Sequence, residues 1–218
     1  MLKQTISLIQ KEFILEFRQK YALGAIVLYA VSTVFICYLS FHTIDDRSTW
    51  NALFWVIELF AATNAVSKSF GGESKEVQLY TFTLASPGAV ILSKIIYNIL
   101  LTIVLTLVTI LVYSTLVGNP VVEKPLFFGT AVLGASGFAA VLTMVSAIAS
   151  RTNGNLALMA ILSIPLLMPV LIIVIKLSSM AVSGMLLEDP TMYLIALGGL
   201  NIVTAALGYL LFPYLWHD

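Results

Sequence analysis

From Tyr21 onward the chain is a succession of long apolar runs separated by short polar breaks. A bilayer core of ~30 Å takes about 20 apolar residues in a helix. Charge-free windows of that length occur at Tyr21–Ile44, Ile95–Val122, Pro125–Ser150, Thr152–Ile175 and Pro190–His217. A further window, Trp50–Ser67, is broken only by Glu58. The runs are continuous rather than alternating, which predicts helices, not barrel strands, because backbone groups in hydrocarbon must be satisfied within the segment. The expected fold class is therefore an all-α integral membrane protein with six transmembrane helices, residues 21–218 forming one transmembrane domain.

Residues 1–20 follow a different pattern. Leu2, Ile6, Ile9, Phe13 and Phe17 recur at steps of three and four and share one helical face, with Lys3, Gln10, Lys11, Arg18 and Lys20 on the others. This predicts an amphipathic helix lying in the membrane interface, its basic groups near anionic lipid headgroups. The first apolar run starts only at Tyr21 and ends without a small-residue cleavage site, so no cleaved signal peptide is expected.

Charge changes the picture in two ways. The chain is 60% hydrophobic and only 10% charged, where a soluble domain carries roughly 25% charged residues. The formal net charge is zero, so no whole-protein field points to nucleic acid. Its distribution sets an orientation. Lys3, Lys11, Arg18, Lys20, Lys68, Lys75, Lys94 and Arg151 fall at one end of the predicted spans. Arg47, Lys124 and Lys176 fall at the other, beside Asp45, Asp46, Glu123, Glu188 and Asp189. The positive-inside rule then places both termini in the cytoplasm.

Most connections are short, but that over about 67–94 is long and polar. Gly71-Gly72 can stop the preceding helix, Glu73 through Leu79 can form a short helix, and Ser86-Pro87-Gly88 marks a turn. A short charged helix presented between spans suits docking to a cytoplasmic partner. Within the membrane, Glu58 and Asn64 are expected to face the protein interior, since a carboxylate in hydrocarbon costs roughly 2.5–3.5 kcal/mol on insertion scales. Pro165 and Pro169, one turn apart, predict a kink. Trp50, Trp55, Tyr193 and Trp216 sit near span ends, as interfacial anchors do. Gly134-Ala135-Ser136-Gly137 reads as small residues permitting close helix contact.

Several chemistries are missing. There is no G-x-x-x-x-G-K-[ST], H-E-x-x-H or G-x-S-x-G, so the chain is not expected to be an enzyme, and any ATP would be bound and hydrolysed by a partner. Catalytic and metal-binding residues are expected to be none. The lone Cys37 reads as a small buried hydrophobe and rules out an internal disulfide.

Phe70, Glu73, Glu76 and Leu79, with Ala85-Ser86-Pro87 and Leu92-Ser93-Lys94, resemble the coupling loop of ABC-2-type permeases, and more narrowly the haem exporter protein B (CcmB-type) permeases of cytochrome c maturation. The run Leu162 through Ile172 is similar to that family's paired-proline helix. Glu76-Val77 departs from the acidic-Gly element that many members carry there. The resemblance implies an ABC transporter permease in a bacterial cytoplasmic (inner) membrane, acting in haem export or delivery for c-type cytochrome biogenesis. It further implies a separate CcmA-type ATPase, CcmC-, CcmD- and CcmE-type membrane subunits and two permease copies. The alternative within that setting is a membrane scaffold that remodels a neighbouring haem-handling subunit. No cofactor is expected to be bound directly: among haem-ligand residue types, His42, His217, Cys37, Met168 and Met192 show no pair-like spacing.

Overall fold

A computed structural model describes residues 2–18, 20–41, 44–71, 85–150, 156–184 and 189–216. Among them are seven helices and no strand: α1 Leu2–Arg18, α2 Lys20–Phe41, α3 Arg47–Gly71, α4 Pro87–Leu116, α5 Lys124–Ser150, α6 Leu156–Ser183 and α7 Pro190–Trp216. Each apolar window read from the sequence overlaps one of α2 to α7. Five of these, all but α3, are long and apolar enough to cross a membrane.

The exception has a physical reason. Helix α3 carries Arg47, Asn51, Glu58, Asn64 and Lys68, but it packs against α4, α5 and α6. A helix sheltered by its neighbours need not be apolar all round, provided its polar groups find partners inside.

Helix α5 is the hub. Within its membrane-length window 78% of residues are buried, against 39% for α4 and 11% for α7, and it contacts α3, α4, α6 and α7. Small residues make this possible, as their spacing predicted. A Cβ on Gly134 would lie 2.8 Å from Cη2 of Trp55 and 3.0 Å from Cγ1 of Val174, and one on Gly137 would lie 2.6 Å from Oδ1 of Asn201. Gly134→Ala is therefore expected to cost about 1–3 kcal/mol through overpacking, read as a lower unfolding temperature in detergent. Gly24→Ala is the control, since its added methyl meets nothing within 4 Å.

Trp50 and Trp55 correct the expectation of interfacial anchors. They are 2% and 1% exposed. Their indole N–H groups donate inward, Trp50 to the Gly118 carbonyl at 3.0 Å and Trp55 to the Ser178 hydroxyl at 2.7 Å, so both rings enter the core without an orphaned donor. Tyr193 is partly buried, with Lys176 over its ring at 4.5 Å.

The helix ends sort into two layers. At one end Arg47 donates to the Ser183 carbonyl at 3.2 Å, and the backbone N–H groups of Val122 and Glu123 donate to Ala181 at 3.2 and 2.9 Å. Here Asp46 caps α3: its carboxylate accepts from Ser48 N–H at 3.3 Å, from Thr49 N–H at 2.9 Å and from the Thr49 hydroxyl. These bonds hold the Asp46 carboxyl below its usual range. The stabilisation is present above about pH 4 and is lost as pH falls through the lowered value. The opposite end holds α1, the C-terminal turns of α3 and α7, and the start of α4.

Helix α1 forms where the periodicity placed it. It docks along α4, with Phe13 edge-on to Tyr97 at 5.2 Å and Leu8 packed beside Phe70, Ile91 and Phe212. Ile6 and Ile14 are exposed, and Glu12 is turned inward. Pro165 and Pro169 lie inside α6, which is helical throughout Leu156–Ser183. Both are on its exposed face, with Ser163, Leu167 and Val170 turned to the core.

Candidate functional site at the root of the long connection

The long connection leaves the bundle at the end of α3 and returns at Pro87. Pro87 stands in the first turn of α4, where a missing N–H is harmless. The preceding Ser86 is extended, with φ −71° and ψ 144°, and its hydroxyl lies 3.4 Å from Oε1 of Gln4 on α1. Thus the returning strand of the connection touches the N-terminal helix before entering the bundle.

Two turns into α4, Lys94 gathers the surrounding elements. Its ammonium donates to Oε1 of Glu12 on α1 at 3.2 Å and to the Ser69 carbonyl at 2.6 Å. It also sits 4.9 Å from the centroid of the Phe70 ring. Ser69 lies in the last turn of α3, where carbonyls have no helical partner ahead of them. A cation there satisfies an orphaned acceptor and complements the negative end of the helix dipole. Phe70 packs in turn on Phe212 of α7, with ring centroids 5.7 Å apart. One side chain therefore joins α1, α3 and α4 where the connection begins and ends.

From Lys94 a polar stripe continues along α4 through Asn98, Thr102, Thr106, Thr109 and Tyr113, all buried. The steps of three and four keep these on one helical face. Asn98 Nδ2 donates to the Ser69 hydroxyl at 2.9 Å and to Thr143 of α5 at 2.8 Å. Thr102 donates to the Asn98 carbonyl at 2.8 Å and lies 3.3 Å from that of Ala135. The Thr106 hydroxyl lies within hydrogen-bond distance of both Oε1 of Glu58 and, at 2.8 Å, the Thr102 carbonyl, and its one proton serves one of the two. Tyr113 closes the series by donating to the Trp50 carbonyl at 3.1 Å.

Glu58 thus faces the interior, as its cost in hydrocarbon required. It is fully buried, and its Oε2 has no hydrogen-bond partner among the described residues. The nearby Thr109 gives its proton to the Leu105 carbonyl at 2.9 Å. Asn64, expected to face the interior with Glu58, is less enclosed. It is half-buried, its backbone carbonyl accepts from the Ser67 hydroxyl at 3.0 Å, and its side chain shows no inter-helix bond among the described residues.

Of the residues read as the coupling loop, Phe70 and Pro87 flank this cluster. Glu73, Glu76 and Leu79 lie outside the described residues, as do His42 and His217. Sequence reasoning missed Glu12, Asn98, Thr102 and Thr106, and took Lys94 only as a loop charge. The available signal was the four-residue spacing of Lys94, Asn98, Thr102 and Thr106. Among the described residues no group of three His, Cys, Asp or Glu side chains could hold a metal ion. What the cluster can do is mechanical: it ties both roots of the connection to α1 and to a buried carboxylate.

No curated protein matches the chain. The sequence model of the CcmB protein family matches residues 3–214, from the second residue of α1 to near the end of α7. With the match running through α1, both flanks of the long connection and the paired-proline helix α6, the chain belongs to the CcmB family.

Proposed function

We propose that this protein is the permease subunit of an ABC transporter acting in haem export or delivery for cytochrome c maturation. A separate CcmA-type ATPase drives it by engaging the connection over residues 67–94. The observation that carries the reading is the Lys94 cluster. A force applied to the connection reaches α1 through Glu12, α3 through Ser69 and the buried core through Asn98 and Thr143. In this reading α3 is a sixth transmembrane helix, α1 lies at the cytoplasmic interface, and both termini are cytoplasmic in the bacterial inner membrane. The chain itself is not an enzyme and holds no resident cofactor, and ATP belongs to the ATPase. Two permease copies and CcmC-, CcmD- and CcmE-type subunits complete the assembly, with haem as its substrate.

The filled interior supports a second form of the same idea. Trp55, Phe54, Phe138 and Leu142 are fully buried around α5, so these described residues fill the space beside the central helix. A scaffold that turns ATP hydrolysis into movement of a haem-handling neighbour would need no passage there.

Orientation is testable by cysteine labelling in intact cells. A cysteine at Asp46 should react with an impermeant thiol reagent added outside, and one at Ser74 should not. Labelling at Ser74 without labelling at Asp46 would put the connection on the wrong side of the membrane for a cytoplasmic ATPase.

A further inference from the structure

At the end of the bundle opposite Lys94, between the start of α3, the end of α4 and the start of α5, lies a cavity of about 420 Å³. That volume falls within the range of small-molecule sites. Trp50, Phe54, Tyr113 and Phe127 form its floor, and Asn119 and Lys124 stand at its mouth. The floor offers carbon only. The Trp50 indole N–H is spent on Gly118 and the Tyr113 hydroxyl on the Trp50 carbonyl. The Asn119 carboxamide oxygen accepts from Val121 N–H at 3.1 Å. Lys124 is exposed and forms no ion pair among the described residues, although Glu123 is its neighbour in sequence. Among the described residues the site is thus apolar and aromatic within, with one uncommitted cation, Lys124, at the rim. It sits at a helix-end level, where lipid headgroups meet acyl chains.

We propose that this cavity binds one anionic phospholipid, an acyl chain lying on the aromatic floor and the headgroup phosphate against Lys124. The charge of the rim selects this occupant. A zwitterionic lipid would carry its own ammonium to the mouth, and a free phosphate would leave the apolar floor empty. Among the described residues no His, Cys or Met lines the cavity, so those residues offer a haem there none of these axial ligands. Tyr113, the one remaining ligand type on the floor, is committed to Trp50.

The test uses the purified full-length chain in neutral detergent and phospholipids with brominated acyl chains, which quench a neighbouring tryptophan. Phosphatidylglycerol should quench at roughly fivefold lower concentration than phosphatidylethanolamine of the same chains, the selectivity one surface cation supplies. The quenched signal should vanish in Trp50→Phe. Lys124→Gln, at an exposed position, should abolish the headgroup preference while leaving the unfolding temperature unchanged. Ser114→Phe, which fills the cavity from its wall, should remove quenching by both lipids. Inorganic phosphate should not compete. Equal quenching by the two lipids, or wild-type quenching in Ser114→Phe, would overturn the proposal.

Discussion

Lys94→Met is expected to destabilise the folded chain by about 3–5 kcal/mol, the usual cost of removing one partner from a buried ion pair. The Lys94 and Glu12 side chains are 4% and 15% exposed, so water replaces little of what is lost. Two acceptors are stranded together: the Glu12 carboxylate and the Ser69 carbonyl at the end of α3. The cation above the Phe70 ring goes as well, and such a contact is worth about 0.5–2 kcal/mol. The double variant Glu12→Leu with Lys94→Met should recover much of the loss, because exchanging both members of a buried pair for apolar residues is often close to neutral. It should not recover all, since Ser69 keeps an unpaired carbonyl. Thermal unfolding in detergent, with the four proteins of the cycle compared, reads this directly. A Lys94→Met protein as stable as wild type would show that α1 is held by its apolar contacts alone.

Glu58→Lys should be still less tolerated than Glu58→Gln, and the contrast between them is the second large effect. A lysine at a fully buried position on α3 would carry its charge among hydroxyls, with no carboxylate placed to receive it among the described residues. Placing a cation at such depth costs about 2.5–3.5 kcal/mol on insertion scales. The expected result is loss of the monodisperse peak in size-exclusion chromatography. Glu58→Gln keeps an oxygen to accept from Thr106 and should stay within about 1 kcal/mol of wild type, the net worth of an ordinary hydrogen bond. If the lysine variant folds as well as the glutamine variant, water reaches this site and the interior is not closed around it.

The sequence made the spans legible because hydrophobic length is a local property, and each apolar run from Tyr21 onward holds a helix. It misplaced the start of α4, because Lys94 was taken to end the apolar run. Its charge is in fact satisfied by Glu12, far away in the chain, and no local pattern announces such a pair. Trp50 and Trp55 were misread for a related reason. Tryptophans near span ends are usually anchors, but here Gly118 and Ser178 supply the acceptors that let both rings go inside. By contrast, Glu58 and the glycines of α5 were readable in isolation. One is too costly to face lipid, and the others are small enough to admit Trp55 and Val174.

The central claim, that the connection between α3 and α4 is where an ATPase drives this protein, is tested by what purifies with it. The tagged chain, extracted from its own membranes in a mild detergent, should carry an ABC ATPase subunit in a stable complex. The Glu73→Lys/Glu76→Lys variant should insert normally and lose that subunit, since truncating one side of a close interfacial charge pair costs about 2–5 kcal/mol. A wild-type preparation without any ATPase, or a double variant that retains it in full, would contradict the account.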